Sequence, residues 1–294
     1  MGRFKRGIRF GGLFFLVGLL GSLNAHAEAP VWALRGTHNT VYLAGSVHLL
    51  RANDAKLPSA FDKAYADSAA LVMEIDMDDM NPLEAQGWML EHGMYLEEGS
   101  LSQTIGKARF QKVEQQSNRL GVPVEAIERL EPWMAAMTLA QLQYMTLGFD
   151  PEQGVEKQLE RRARADRKEI TGFETLPEQL GLLDGLAQAD QIKFLDMTLE
   201  EMHEMEGDTE ELLAAWRAGK AQKLADLLGE EYRVAPALYR TLVMDRNRRW
   251  MPELEKLLRA DKNYLVVVGA LHLVGDGGLL QLAKSRGFSA KQLQ

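Results

Sequence analysis

VYLAGSVHLL at residues 41–50 and LVVVGALHLV at residues 265–274 share one local frame: an apolar run, a glycine, two small or apolar residues and a histidine. Apolar runs of this length, without alternating polar positions, read as strands buried on both faces, as in parallel sheets. His48 and His272 then stand just past the ends of two such strands. In open α/β sheets ligands bind at that edge, because loops leaving it can converge on a ligand without disturbing the core. One histidine behind an apolar strand is more often a satisfied residue near the core. Two in the same frame, from opposite ends of the chain, point to a shared site and predict that the two imidazoles approach each other.

Outward from these runs, Val31 to Leu34 and Thr40 to Ala44 flank the polar stretch RGTHN at 35–39, a hairpin-like opening with His38 as a turn residue. Pro58 suits a first helical turn, and Phe61, Ala64 and Tyr65 give one apolar helical face. Leu71-Val72-Met73 then forms a strand leading to Glu74. Strand, helix and strand make a βαβ unit whose right-handed crossover puts both strand ends on one sheet edge, so His48 and Glu74 face one crevice. The middle reads as helical over 84–120, from Pro132 through Leu142, over 155–165 and over much of 177–260, with its Met and Trp stripes as core packing. Lys168 to Gly172 forms one more short strand ending near Glu174, and Pro236 and Pro252 are expected to break or start helices. Tyr264 to Val268 is the last buried strand, followed by a helix from Leu279 to Ser285 and a short polar strand. The fold class is therefore α/β: a central mostly parallel or mixed sheet, helices on both faces, and a large helical insertion between the first and last strands.

The N-terminus has the form of an export signal. Arg3, Lys5, Arg6 and Arg9 precede or border an uncharged stretch from Phe10 to Leu20, and Ala25-His26-Ala27 is a small-x-small cleavage pattern. The apolar run is shorter than a membrane-spanning helix needs, which favours a cleaved signal peptide over 1–27 and a single domain over 28–294, starting near Glu28. The expected location is periplasmic or secreted, with no stable membrane insertion after cleavage. The chain has no cysteine, which rules out disulfides and thiolate metal ligands. Its formal charge of −8 becomes more negative once the basic leader is removed, which disfavours nucleic acid as a partner.

Four polar residues, His48, Glu74, Glu174 and His272, thus follow candidate strands. Two imidazoles and a carboxylate are the ligand set of many catalytic divalent-metal sites, where a bound water is acidified and a remaining glutamate acts as general base. The plainer alternative is that both histidines cap the sheet by hydrogen bonding and that Glu74 pairs with a buried arginine. Other motifs are weaker. His203-Glu204 begins like a zincin helix but lacks the second histidine, Ser46 is not in a Gly-x-Ser-x-Gly turn, and GDGG at 275–278 lacks phosphate-loop spacing. Arg246, Arg248 and Arg249 read as a salt-bridged helix face, or, for Arg246, as an oxyanion stabiliser.

VYLAGSVH, the LVMEID that carries Glu74, GVE at 154–156, GFETLPEQL around Glu174, DRNRRW at 245–250 and VVVGALHLVGDGGLL together resemble the serial motifs of the TraB/GumN family, which includes the TIKI proteases. The resemblance spans about 31–290, and the paired Gly-x-x-His motifs are its specific part. It implies an α/β fold related to erythromycin-esterase-like and haem-binding ChaN-like proteins, with metal-dependent peptidase activity in TIKI members. By motif match it implies His48, Glu74 and His272 as metal ligands, for a divalent ion such as manganese, cobalt or zinc, and Glu156, Glu174, Arg246 and Asn247 as supporting catalytic residues. The leading expectation is an exported metal-dependent hydrolase, a TIKI-like peptidase acting on a peptide or protein. The alternatives are a non-catalytic periplasmic protein that binds a peptide, a polysaccharide-related ligand or haem, and an esterase-like site with histidine as general base and no metal.

Overall fold

The computed structural model describes residues 28–76, 81–96, 98–202 and 205–294. Residues 1–27, read above as an export signal, and the His203-Glu204 pair lie outside the described residues. Six strands form one mixed sheet: β1 (Val31–Arg35), β2 (Thr40–Ser46), β3 (Ala70–Ile75), β4 (Glu169–Glu174), β5 (Tyr264–Gly269) and β6 (Ala290–Gln292), in the order β4-β3-β5-β2-β1-β6. The block β4-β3-β5-β2 is parallel, while β1 lies antiparallel to both β2 and β6. Leu265 to Val268 are all fully buried, and successive strand residues face opposite sides, so β5 is covered on both faces.

The chain order explains where the crevice opens. From β2 through β3 to β4 the strands are added in one direction, and the chain then returns to insert β5 between β3 and β2. Under the right-handed crossover rule that reversal sends the helices to opposite faces of the sheet and leaves a crevice at the carboxyl ends beside β5. The helices Ser59–Asp67 and Val155–Ala165 lie together, with Tyr65 Oη donating to Asp166 at 2.6 Å. The helices Asp245–Leu257 and Leu279–Ser285 pack against each other. Register brings Ser46 level with Gly269, Met73 with Val267 and Ile75 with Glu174, so the ends of four parallel strands form one edge.

The helical part falls in two stretches separated by β4. It has a core of its own around Leu101, Ile127, Leu139 and Leu195, beside the main core under the sheet. Trp133 is fully buried as core packing, whereas Met137 is 38 % exposed and lines a cavity instead. Two expectations need correction. Glu74 is not beyond β3 but inside it, because the strand continues to Ile75 to pair with Glu174. Pro236 does open a helix, Pro236–Tyr239, but Pro252 sits inside Asp245–Leu257 without breaking it. Proline there removes one helical hydrogen bond. Trp250, Met251 and Leu254, each 1 % exposed or less, anchor the helix on both sides of the lost bond.

Candidate functional site

Gly269, the last residue of β5, is the centre around which the polar residues gather. A Cβ there would stand 3.3 Å from Glu74 Oε1 and 3.7 Å from both His272 Cδ2 and His48 Nε2. The side chain that glycine lacks is the space these three groups share. Its amide donates to Glu74 Oε1 at 2.7 Å. The two imidazoles, read as neighbours from their frames, both border this space at the end of β5.

His48 leaves β2 on a loop and stands at the mouth of the site, with 68 % of its side chain exposed. Its Nδ1 lies 2.7 Å from Glu156 Oε1, which also accepts from Ser46 Oγ. Glu156 is the second residue of the helix Val155–Ala165, and Gly154 makes its approach possible: a Cβ at Gly154 would collide with the His48 carbonyl. The charge of Glu156 raises the His48 pKa above the ordinary histidine value, and its hydrogen bond adds to this. Water around the exposed ring screens part of that attraction. Glu156 Oε2 is buried with no hydrogen-bond partner. Burial would raise the Glu156 pKa, but His48 and Ser46 hold it below the ordinary carboxylate value.

His272 lies in the short helix Ala270–Leu273, and its side chain is 7 % exposed. Asn247 fixes its protonation. The Asn247 amide nitrogen donates to the carbonyls of His272 at 3.1 Å and Gly277 at 2.9 Å, so its oxygen must be the atom facing His272 Nδ1 at 2.7 Å. Nδ1 therefore carries the proton, and the Nε2 lone pair accepts from Arg246 Nη1 at 3.0 Å. Trp250 packs on the ring at 4.5 Å between centroids. Burial lowers the His272 pKa to about 4, with Arg246 adding to the shift and Glu74 opposing it.

Arg246 ties the floor together. Its Nη2 donates to Glu74 Oε2 at 2.6 Å and its Nε to Glu174 Oε2 at 2.9 Å, while its guanidinium lies 4.6 Å over Trp250. Arg246, Asn247, Trp250, Met251 and Leu254 are the buried positions of their helix, one face at helical spacing. A π-type turn, Arg240–Met244, precedes them. Arg248 and Arg249 point outward, and Arg249 reaches Glu174 Oε1 at 3.2 Å. The plainer reading of Glu74 is thus present: it pairs with a buried arginine. Burial alone would raise the Glu74 pKa, yet His272, Arg246, His48 and the Gly269 amide hold it at about 2. Because His272 is neutral above about pH 4, Arg246 supplies the permanent charge at neutral pH.

Two site residues escaped the sequence reading. Ser46, set aside as a nucleophile, binds Glu156 instead. Gln179 donates to Glu74 Oε2 at 3.0 Å. The signal for Gln179 was present: Thr175 and Glu178 form a capping box that starts the helix Leu176–Asp184 directly after β4, aiming its first turn over the site.

The site opens into a cavity of about 540 Å³ whose other wall is built from the inserted helices, including Leu180, Leu183, Phe194, Leu213 and Leu224. A smaller cavity of about 170 Å³ lies on the far side of His48, Glu74 and Gln179, bounded by Glu156, Lys157 and Glu160. For a divalent ion, His48 Nε2, Glu74 Oε1 and His272 Nε2 are donors of the right chemical kind. Yet Arg246 engages both the Nε2 lone pair of His272 and Glu74 Oε2, a permanent cation bridging two would-be ligands. Among the described residues no group of three or more His, Asp or Glu stands in metal-holding geometry. In this arrangement the donor set does not fit a divalent ion.

A mixed α/β sheet whose carboxyl edge gathers two histidines, two strand glutamates and Glu156 from a neighbouring helix, beneath a helical wall, defines the class of this protein. Residues 30–292 match the profile of the TraB/PrgY/gumN family, and the chain belongs to that family. It is 26 % identical over 268 residues to the uncharacterized protein YbaP of Escherichia coli (strain K12), covering 86 % of this chain and 97 % of that one. An uncharacterized protein of Treponema pallidum (strain Nichols) is 28 % identical over 185 residues, covering 60 % of this chain and 53 % of its own length. No solved structure matches the chain significantly.

Proposed function

We propose that this protein is an exported hydrolase that cleaves a carbonyl compound, a peptide or acyl ester, with His48 as general base and acid. The observation that carries the reading is the His48–Glu156 pair at the mouth of the cavity: Nδ1 is anchored, and Nε2 is left facing the space beside Gly269. In that position Nε2 takes a proton from a water whose oxygen attacks the carbonyl carbon, and the ring then gives a proton to the leaving oxygen or nitrogen as its bond to carbon breaks. Water is consumed, and a carboxylic acid and an alcohol or amine are released. Glu156 keeps the ring in one orientation and favours its charged form. Glu174, Arg246 and Asn247 act as positioning residues: Arg246 is engaged with Glu74 and His272, Asn247 with His272, and Glu174 with Arg246. Export rests on the leader alone; among the described residues no helix is long and apolar enough to cross a membrane.

The test is digestion of peptide and acyl-ester libraries by purified protein with and without chelator. Turnover should survive chelation and disappear in His48→Asn. Loss on chelation, restored by manganese, cobalt or zinc, would replace this reading with a metal site on His48, Glu74 and His272. Ligand capture with no turnover under any condition would make the protein a binding protein, which the largely apolar cavity also accommodates.

A further inference from the structure

The floor lies between two cavities that differ in size and in the side chains that line them. The large one, about 540 Å³, has Ser46, His48, Glu74, Gln179, Arg246 and His272 only at its floor, and away from it the described lining is mostly leucine with other apolar residues. It adjoins a further cavity of about 400 Å³ that shares Tyr144, Thr209, Leu212 and Leu228 with it and whose other lining includes the carboxylates of Glu201, Asp208 and Asp226, so the apolar lining ends there. The small one, about 170 Å³, meets the first only at His48, Glu74 and Gln179, and its wall sets Glu156, Lys157 and Glu160 beside Met73 and Ile75. Lys157 Nζ donates to Glu160 Oε2 at 2.8 Å and Arg164 Nη2 to Glu160 Oε1 at 2.5 Å, so that wall carries both signs of charge within one short stretch.

We infer that the substrate is a small amphiphile, an aliphatic acyl chain joined through an ester or amide to a compact uncharged polar group, with its carbonyl at His48, its chain in the large cavity and its head in the small one. The inference rests on the hydrolase reading for its chemistry and on the two cavities for its specificity. An apolar cavity of this size returns free energy only to a ligand that fills it with hydrocarbon, while the paired charges of the small cavity suit hydroxyls, which both donate and accept. Cleavage consumes one water, breaks the bond between the carbonyl carbon and the head-group atom, and leaves a free fatty acid and the polar alcohol or amine.

The experiment pairs a binding series with a turnover series. Glycerol monoalkyl ethers, which contain no carbonyl, are titrated calorimetrically below their micelle concentrations at increasing chain length, and monoacylglycerols and an apolar heptapeptide are assayed for hydrolysis. Affinity for the ethers should rise about fourfold per methylene until the cavity is full, and the esters should show the same chain-length preference. Leu228→Trp fills the end of the large cavity where it adjoins the next one and should move the preferred length down by several carbons; Leu212→Phe tests the same place if that variant does not fold. Ethers that bind with this profile while no ester is cleaved would uphold the ligand class and defeat the hydrolase reading. Cleavage of the peptide or of short esters alone, with ether affinity flat across the series, would overturn the amphiphile and leave the hydrolase. Neither binding nor turnover would overturn both.

Discussion

GSVH at 45–48 and GALH at 269–272 are nearly one sequence, and the molecule makes opposite chemistry of them. Both follow a central parallel strand, and their strands pair directly, Ser46 beside Gly269. After β2 the chain leaves as a loop, and His48 meets one carboxylate and open water. After β5 it coils into a short helix, and His272 is enclosed by Asn247, Arg246 and Trp250. The first imidazole is pushed toward its charged form and the second is held neutral. A repeated motif therefore fixes where a side chain emerges; the elements packed opposite decide what it does. For His48 that element is the helix opened by GVE, and for His272 it is the helix that carries DRNRRW.

The largest way to break the comparison is to remove what encloses His272. Arg246→Met leaves Glu74 and Glu174 buried beside it with the guanidinium gone, and breaking such a cluster is expected to cost about 3–5 kcal/mol in denaturant unfolding. Arg246→Lys should recover only part of this, because one ammonium cannot reach Glu74, Glu174 and His272 with the geometry of a planar fork. Wild-type stability in Arg246→Met would mean that packing on Trp250, not the guanidinium, holds the floor.

Exchanging the histidines one at a time comes next. His48→Asn removes an exposed ring and one partner of Glu156, and should cost no more than about 1 kcal/mol of stability while turnover falls at least about a hundredfold. His272→Gln should do the reverse in stability, costing about 1–3 kcal/mol, because Asn247 and Arg246 each lose a buried partner. Equal destabilisation by the two variants would show that the environments are not as different as their geometry.

These environments mark the limit of what sequence alone conveyed. The strands were legible because consecutive apolar residues in β2, β3 and β5 reflect burial on both faces, and the carboxyl edge followed from crossover handedness. Family motifs pointed to Arg246 and Asn247, but the Glu74–Arg246 pair spans most of the chain and exists only because β5 returns between β2 and β3. No local pattern encodes such a contact. Pro252 misled for a related reason: its local rule was outweighed by burial of the residues around it. Gln179 and the π-type turn before Arg246 likewise depend on what the floor requires.

Acid should distinguish the two histidines as well. His272 has a folded pKa of about 4, below the ordinary value of about 6.5, so the unfolded chain binds the proton first as pH falls. Stability from keeping it neutral is present above about pH 6.5 and is lost progressively down to about pH 4. Glu74, held at about 2, adds a second loss below about pH 4.5. Melting temperature followed from pH 7 to 4 should fall in wild type and in His48→Asn, and fall less in His272→Gln. An unchanged slope in His272→Gln would place the acid sensitivity elsewhere.

The smallest expected effect isolates Glu156. In wild type its charge raises the His48 pKa, so the base form of the ring is gained only above the ordinary histidine range, and kcat/KM should rise with pH through that raised value. Glu156→Gln keeps the size of the side chain and its hydrogen-bonding reach to Ser46 but removes the charge. The folded pKa of His48 then falls toward about 6.5, and the acidic limb of the kcat/KM profile moves to lower pH. The same change removes the stability that protonated His48 draws from its partner, a contribution present below the unfolded pKa and lost as pH rises through the raised folded one. Because the ring is 68 % exposed, both shifts should be modest. A Glu152→Gln control, on an exposed carboxylate of the preceding turn, should leave the limb in place. If the limb stays put in Glu156→Gln while the plateau rate falls, Glu156 orients His48 without tuning it, and the contrast between the two imidazoles reduces to burial alone.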